Sequence, residues 1–221
     1  LHCSGYLKND TNFGNYFGKM YQPRYLSGLA AGAMTESNKI GYVAAFPIPE
    51  VIRGINAFAT GVKEVNPDAT VEVVWTFTWF GPEAETQAAN ALLETGVDVL
   101  AQHQDSPSTG IAAEAAGAKW ISYNTAYGQD AAPGAFVTAP VWDWGPYYVQ
   151  VVESIVNDDF VAEAYWGGME TGLVSLYELS SDVPADTATL ISERTEEIIS
   201  GSFDPPTVSY THLTLPTSSP V

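Results

Sequence analysis

Short runs of apolar residues alternate along most of the chain with segments in which apolar residues recur at helical spacing. In the segment 50–65, for example, Val51, Ile55, Phe58 and Val62 fall on one face of a helix. The apolar runs predict strands at 39–46, 70–77, 97–102, 119–124, 135–140 and 172–179. The segments with helical spacing predict helices at 15–36, 50–65, 82–96, 108–117, 145–158 and 184–201.

This alternation predicts an α/β fold in which a parallel sheet is covered by helices on both faces. In such sheets, ligands bind beyond the carboxyl ends of the strands. The loops at that edge combine aromatic side chains with a few polar ones, which suits a small planar ligand. The candidate ligand-binding residues there are Phe46, Trp79, Phe80, Asp105, Ser106, Asn124, Trp142 and Trp144.

Several of these residues also fit a purely structural role. Trp79 and Phe80 are equally compatible with covering the hydrophobic core, and Asn124 is a common turn former. Asp105 precedes the predicted helix 108–117, where it could cap the helix, contact a ligand or do both.

The composition narrows the set of partners. The chain has 26 acidic and 8 basic residues and a formal net charge of −18, which argues against binding to nucleic acid or to anionic membranes. Cys3 is the only cysteine, so neither an internal disulfide nor a cysteine-based zinc site is expected. Its position near the start resembles that of a lipidated cysteine, but small residues do not precede it.

The stretch LAQHQDSPSTG at 100–110 places His103, Asp105 and Ser106 close together, as in a disassembled hydrolase site. However, the chain lacks the G-x-S-x-G motif of α/β hydrolases, so a hydrolase is the weaker alternative. It also lacks G-x-G-x-x-G, P-loop and H-E-x-x-H motifs. We therefore expect neither catalysis nor a cofactor nor a metal.

The last segment departs from the rest of the chain. Residues 207–221 contain no charged residue and no core periodicity, and VSYTHLTLPT is similar to the translation of a widely used sequencing adapter. Our hypothesis is that native sequence stops near Pro205 or Pro206. His212 is therefore excluded from functional argument.

Residues 38–108, together with the motifs ISYN, VWDWGPYY, YWGGMETGLV and IISGSFD, resemble the basic membrane protein (BMP) family. These are substrate-binding proteins of ABC importers, including purine-nucleoside receptors. The resemblance implies two Rossmann-like lobes of the type I periplasmic-binding-protein fold, with ligand in the cleft between them. It divides this chain into 1–38, the end of the N-terminal lobe and its crossover, and 39–204, an incomplete C-terminal lobe. Residues 205–221 would be a non-native, disordered tail.

The resemblance also implies roles for site residues. Trp79 falls where nucleoside-binding members stack an aromatic ring on the base, and Asp105 and Ser106 fall at a glycine pair near the ligand. Asn124 replaces an aspartate expected to hold sugar hydroxyls, and Trp142 falls near a lysine. These changes favour a flatter, less hydroxylated ligand such as a nucleobase.

The whole-protein function that the resemblance implies is an extracytoplasmic, lipid-anchored receptor for a purine base or nucleoside. Its partners would be that ligand and an ABC permease, and the complete protein would be a monomer. A two-lobed ligand-sensing regulator is the alternative on the same fold.

Overall fold

The largest sheet of the protein has five parallel strands, as seen in a computed structural model that describes residues 1–207. Its spatial order is β4–β3–β5–β6–β7, and every neighbouring pair is parallel. This arrangement confirms the predicted α/β fold. The strands are β3 (Lys39–Ala44), β4 (Thr70–Trp75), β5 (Val99–His103), β6 (Lys119–Ile121) and β7 (Phe136–Thr138). The predicted adapter-like tail lies almost entirely outside the described residues.

Helices cover both faces of this sheet. On one face Tyr42 packs into a core with Leu29 and Phe58, whereas on the other Leu100 packs with Leu92. No helix within residues 1–207 is long and apolar enough to cross a membrane. The first face is covered by α1 (Tyr21–Met34), α2 (Pro49–Val65) and α7 (Ala185–Ser200), and the second by α3 (Pro82–Glu94) and α4 (Ser108–Ala115). The remaining helices are α5 (Gly128–Ala131) and α6 (Gly145–Val156).

Helices α1 and α2 touch backbone to backbone through two glycines. A Cβ atom on Gly28 of α1 would overlap the carbonyl oxygen of Phe58, and one on Gly61 of α2 would overlap that of Tyr25. Only glycine permits this approach, because any side chain at either position would have to push a helix backbone away. The two helices therefore form one closely packed unit on the sheet.

A second, three-stranded parallel sheet contains β1 (His2–Cys3), β2 (Asn15–Gly18) and β9 (Ala164–Gly167). The prediction of a helix from 15 to 36 was therefore wrong for its first residues, because the helix begins only at Tyr21. β2 forms because it pairs along its whole length with β9, from Asn15 opposite Ala164 to Gly18 opposite Gly167. β9 itself was not predicted.

The predicted strands 135–140 and 172–179 are also shorter and differently paired in the structure. The first divides into β7 and β8 (Pro140–Trp142), and β8 leaves the main sheet to pair antiparallel with β10 (Val174–Leu176). Residues 172–173 precede β10 because a 3₁₀ turn at Met169–Thr171 ends at Gly172, whose φ of 74° is in the left-handed region. The predicted domain boundaries stay a prediction.

Candidate ligand-binding site

A cavity of about 960 Å³ lies between the carboxyl edge of the main sheet and the β1–β2–β9 sheet. Five of the eight predicted site residues line it: Trp79, Asp105, Asn124, Trp142 and Trp144. They come from loops after β4, β5 and β6 and from the region of β8. The loops meet here because the carboxyl ends of parallel strands lie at one edge of a sheet.

The other three predicted residues do not line the cavity. Phe46 packs behind Trp79, with ring centroids 5.3 Å apart, and so supports that ring. Phe80 is 64% exposed and lies outside the cavity. Ser106 is buried, and its hydroxyl donates a hydrogen bond of 2.6 Å to Glu85.

Trp79 presents a partly exposed aromatic face to the cavity, with 39% of its surface accessible. Its carbonyl oxygen accepts a 3.0 Å hydrogen bond from the backbone N–H of Asp105, which ties the loops after β4 and β5 together. Its ring lies 6.0 Å from the ring of His103. The residue is therefore held by its own backbone as well as by its neighbours.

Asp105, Asn124 and Trp142 form a chain of hydrogen bonds along the cavity wall. The Asn124 side-chain amide donates to Asp105 Oδ1 at 2.6 Å, and the Trp142 indole N–H donates to Asn124 Oδ1 at 3.0 Å. Trp142 in turn stacks on Trp144, with centroids 4.6 Å apart and planes 14° apart. Burial raises the pKa of Asp105, and the hydrogen bond from Asn124 opposes that rise. The wall thus offers a carboxyl group beside flat aromatic faces.

The alternative interpretation of Asp105 as a helix N-cap was wrong. Helix α4 begins at Ser108 after Pro107, and no side chain makes a capping hydrogen bond to it. Asp105 is instead oriented towards Asn124, as described above. The backbone N–H of Ser108 donates a hydrogen bond of 3.3 Å to the Ser106 hydroxyl. The side chain nearest the start of the helix is therefore that of Ser106 and not that of Asp105.

Glu85 holds the two loops of the site from behind. This fully buried carboxylate on α3 accepts hydrogen bonds from the backbone N–H of Gly81 at 3.0 Å and from the Ser106 hydroxyl at 2.6 Å. Gly81 follows the Trp79 loop, and Ser106 follows Asp105. Burial raises the pKa of Glu85, whereas these donors lower it. Glu85 therefore positions the loops without lining the cavity.

Sequence reasoning missed the opposite wall of the cavity and Glu50 on its floor. The wall is formed by the paired strands β2 and β9, on which Phe17 and Trp166 lie side by side with ring centroids 6.0 Å apart. The Arg53 guanidinium carbon lies 5.3 Å from the centre of the Trp166 ring. The floor includes Glu50 and His103. The adjacent aromatic residues Tyr165 and Trp166 were the sequence signal for this wall.

Metal binding finds no support in the geometry. Among residues 1–207, no group of three or more His, Cys, Asp and Glu side chains is placed to hold a metal ion.

Solved solute-binding proteins share the fold of this chain. The solved structure of an ABC transporter solute-binding protein from Conexibacter woesei superposes with a TM-score of 0.72 at 23% identity. The superposition covers 90% of this chain and 67% of that one. This similarity shows the type I periplasmic-binding-protein fold.

Sequence comparison gives the family. The Bmp family, described as "ABC transporter substrate-binding protein PnrA-like", matches residues 1–204. The chain belongs to this family, which confirms the resemblance seen in its motifs. The family and two curated relatives are named as binding proteins. These names agree with the prediction that the chain binds a ligand and does not catalyse a reaction.

Two curated relatives bear on the ligand. TsgA13 of Haloferax volcanii, named as an ABC transporter glucose-binding protein, is 44% identical over 203 residues, which is 92% of this chain and 51% of TsgA13. A purine-binding protein of Brucella abortus is 36% identical over 209 residues, which is 92% of this chain and 57% of that protein. The chain therefore spans about half the length of the curated relatives it matches.

Proposed function

We propose that the chain forms part of the ligand cleft of an extracytoplasmic solute-binding protein that delivers a purine base or nucleoside to an ABC permease. The observation that carries this proposal is the accessible face of Trp79 beside the Asp105–Asn124–Trp142 hydrogen-bond chain. A purine needs both a ring to stack on and polar groups at its edge. The name of the Brucella relative supports the same ligand class.

The hydrogen bonds of the wall indicate which atoms remain for the ligand. The side-chain NH₂ of Asn124 donates to Asp105, and its side-chain oxygen accepts from Trp142. Asp105 Oδ2 has no hydrogen-bond partner within residues 1–207 and remains an acceptor for a ligand N–H. We therefore assign stacking to Trp79 and edge recognition to Asp105, with Asn124 and Trp142 holding that carboxylate in place.

Capture of the ligand follows from the two-lobed architecture of the family. Closure of the lobes about a hinge would bury the ligand and create the form that the permease accepts. In this proposal the lipid anchor, the monomeric state and the absence of nucleic-acid binding stay predictions, as does the interlobe position of the cleft.

Trp79→Ala tests the proposal. We expect the complete protein to bind at least one of adenine, hypoxanthine, guanosine and inosine. The substitution should weaken that binding about 5- to 160-fold, because stacking on a base contributes about 1–3 kcal/mol. Titration calorimetry measures both values. The control is Phe80→Ala, which removes an adjacent aromatic ring that does not line the cavity. Binding of none of the four, or equal affinity in Trp79→Ala, would contradict the purine assignment.

Glucose is the second candidate, because the Haloferax relative is named for it. An aromatic face beside a carboxylate also suits the flat apolar face and the hydroxyls of a sugar ring. Glucose therefore belongs in the same titration. Tighter binding of glucose than of all four purine ligands would replace the purine assignment and retain the assignment as a solute-binding protein.

A further inference from the structure

Two polar side chains on the floor of the cavity lie side by side without a good hydrogen bond between them. Glu50 is in the first turn of α2, and His103 is the last residue of β5. Glu50 Oε1 and His103 Nε2 are 3.5 Å apart, beyond the usual range for an N–H···O hydrogen bond. Both residues line the cavity. Their polar atoms are therefore available to a ligand.

Both side chains have polar atoms without a hydrogen-bond partner in the described part of the chain. The Glu50 side chain is 25% exposed, and no hydrogen bond reaches its carboxyl oxygens from any residue in 1–207. His103 is almost completely buried, and its Nδ1 likewise has no partner in this part of the chain. A buried polar group without a hydrogen bond typically costs about 1–3 kcal/mol. That cost applies to Nδ1, whereas the polar atoms that a ligand in the cavity can reach are those of Glu50 and His103 Nε2.

Burial and a neighbouring positive charge keep the His103 imidazole neutral. Burial lowers the pKa of His103 well below its ordinary value, and the positive charge of Arg24 lowers it further. Arg24 is itself fully buried and lies 3.9 Å from the centre of the Tyr123 ring, while the His103 ring lies 4.5 Å from the same ring. The imidazole is therefore neutral at pH 7, and the pair is not an ion pair.

The neutral imidazole carries one N–H, and the geometry favours Nε2 for it. A buried N–H without an acceptor is rarer in proteins than an unpaired acceptor, so the partnerless Nδ1 is the better place for the lone pair. Nε2–H then points to the side of the ring where Glu50 lies. The floor thus presents an acceptor, Glu50 Oε1, directly beside a donor, His103 Nε2–H.

We propose that Glu50 and His103 form a specificity subsite that recognises an adjacent N–H donor and acceptor on the ligand ring. Such a pair occurs in the amidine edge of an aminopurine and in the lactam edge of an oxopurine. The ligand N–H at this edge donates to Glu50, and the adjacent ligand nitrogen or carbonyl accepts from His103. Asp105 then accepts from an N–H or hydroxyl elsewhere on the ligand. This subsite rests on the proposed function, since it assumes a heteroaromatic ligand stacked in the same cavity.

The charges around Glu50 add a pH dependence. Burial raises the pKa of Glu50, as does Asp105, whereas Arg24 and Arg53 lower it. Only the ionised carboxylate accepts a ligand N–H fully, so ligand affinity is highest above the pKa of Glu50 and falls as the pH decreases through it. The groups that face Glu50 are Arg24, Tyr42, Arg53, His103, Asp105 and Tyr123.

The test compares ligands that differ only at the recognised edge. Titration calorimetry of the complete protein would measure the affinities of 9-methyladenine, 9-methylhypoxanthine and 9-methylpurine, the last of which has no N–H. Because a hydrogen bond to a charged group is worth about 1.5–3 kcal/mol, we expect the first two to bind at least tenfold more tightly than the third. Glu50→Gln should reduce that preference to about threefold or less and make the fall in affinity with decreasing pH less steep.

Glu83→Gln is the matched control. Glu83 is in the first turn of α3 after Pro82, just as Glu50 is in the first turn of α2 after Pro49, but Glu83 is exposed and outside the cavity. Equal affinity of the wild-type protein for all three ligands, or a preference unchanged in Glu50→Gln, would overturn the subsite and leave the purine assignment intact. Failure of all three ligands to bind would overturn the subsite, and failure of adenine, hypoxanthine, guanosine and inosine as well would overturn both.

Discussion

Gly61→Ala should lower the free energy of unfolding by about 3 kcal/mol or more. The added Cβ would overlap the carbonyl oxygen of Tyr25 in α1, which is backbone and can move only if the whole helix moves. Separating α1 from α2 would also loosen the packing of Phe58 and Leu29 in the core. Denaturant titration followed by far-ultraviolet circular dichroism measures the loss.

Gly54→Ala in the same helix is the control for this prediction. The nearest atom to a Cβ on Gly54 is Arg24 Nε at 3.6 Å, which is ordinary van der Waals contact. Because alanine is the better helix former, this substitution should stabilise the protein by about 0.5–1 kcal/mol. Equal effects of the two substitutions would show that the α1–α2 contact is not as close as described.

Glu85→Ala should reduce both stability and ligand affinity. The substitution leaves the N–H of Gly81 and the hydroxyl of Ser106 without their acceptor in a buried site, which costs about 2–4 kcal/mol for two lost bonds and the cavity left behind. The loops that carry Trp79 and Asp105 then lose their common anchor. We expect a lower midpoint in denaturant and weaker ligand binding from a residue outside the cavity.

Glu83→Ala separates this effect from a general change of charge. Glu83 is on the same helix, two residues earlier, and is exposed. It should change the free energy of unfolding by less than about 0.5 kcal/mol and leave ligand affinity unchanged. Retention of full ligand affinity in a folded Glu85→Ala protein would contradict the positioning role and leave only a structural one.

The main sheet could be predicted because the hydrophobic pattern within each strand is enough to identify it. Each is a short apolar run, since both of its faces are buried, and the intervening helices carry their own periodicity. The error at 15–20 has a different origin. Tyr16 and Met20 fit a helical stripe as well as a strand, and the pairing that decides for a strand is with β9, far along the chain. The hydrophobic pattern of residues 15–20 alone cannot reveal this pairing with a distant strand.

The candidate site was predictable to the extent that it lies on loops after the main strands. Trp79, Asp105 and Asn124 follow from the topology alone. Glu50 and Arg24 do not, because a charged residue in a sequence is ordinarily assigned to the solvated surface. Their burial results from the way α1 and α2 pack over the ends of the strands. Ser106 was misplaced for the related reason that its partner, Glu85, is on another helix.

The aromatic lining of the cavity makes the protein its own spectroscopic probe. Trp79, Trp142, Trp144 and Trp166 line the cavity, and they are four of the six tryptophans in the chain. The emission of the protein is therefore dominated by side chains that a bound molecule would touch or shield from water. In addition, the parallel indoles of Trp142 and Trp144 are close enough for their transitions to couple. Occupancy of the cavity should thus be readable from fluorescence and near-ultraviolet dichroism without any attached dye.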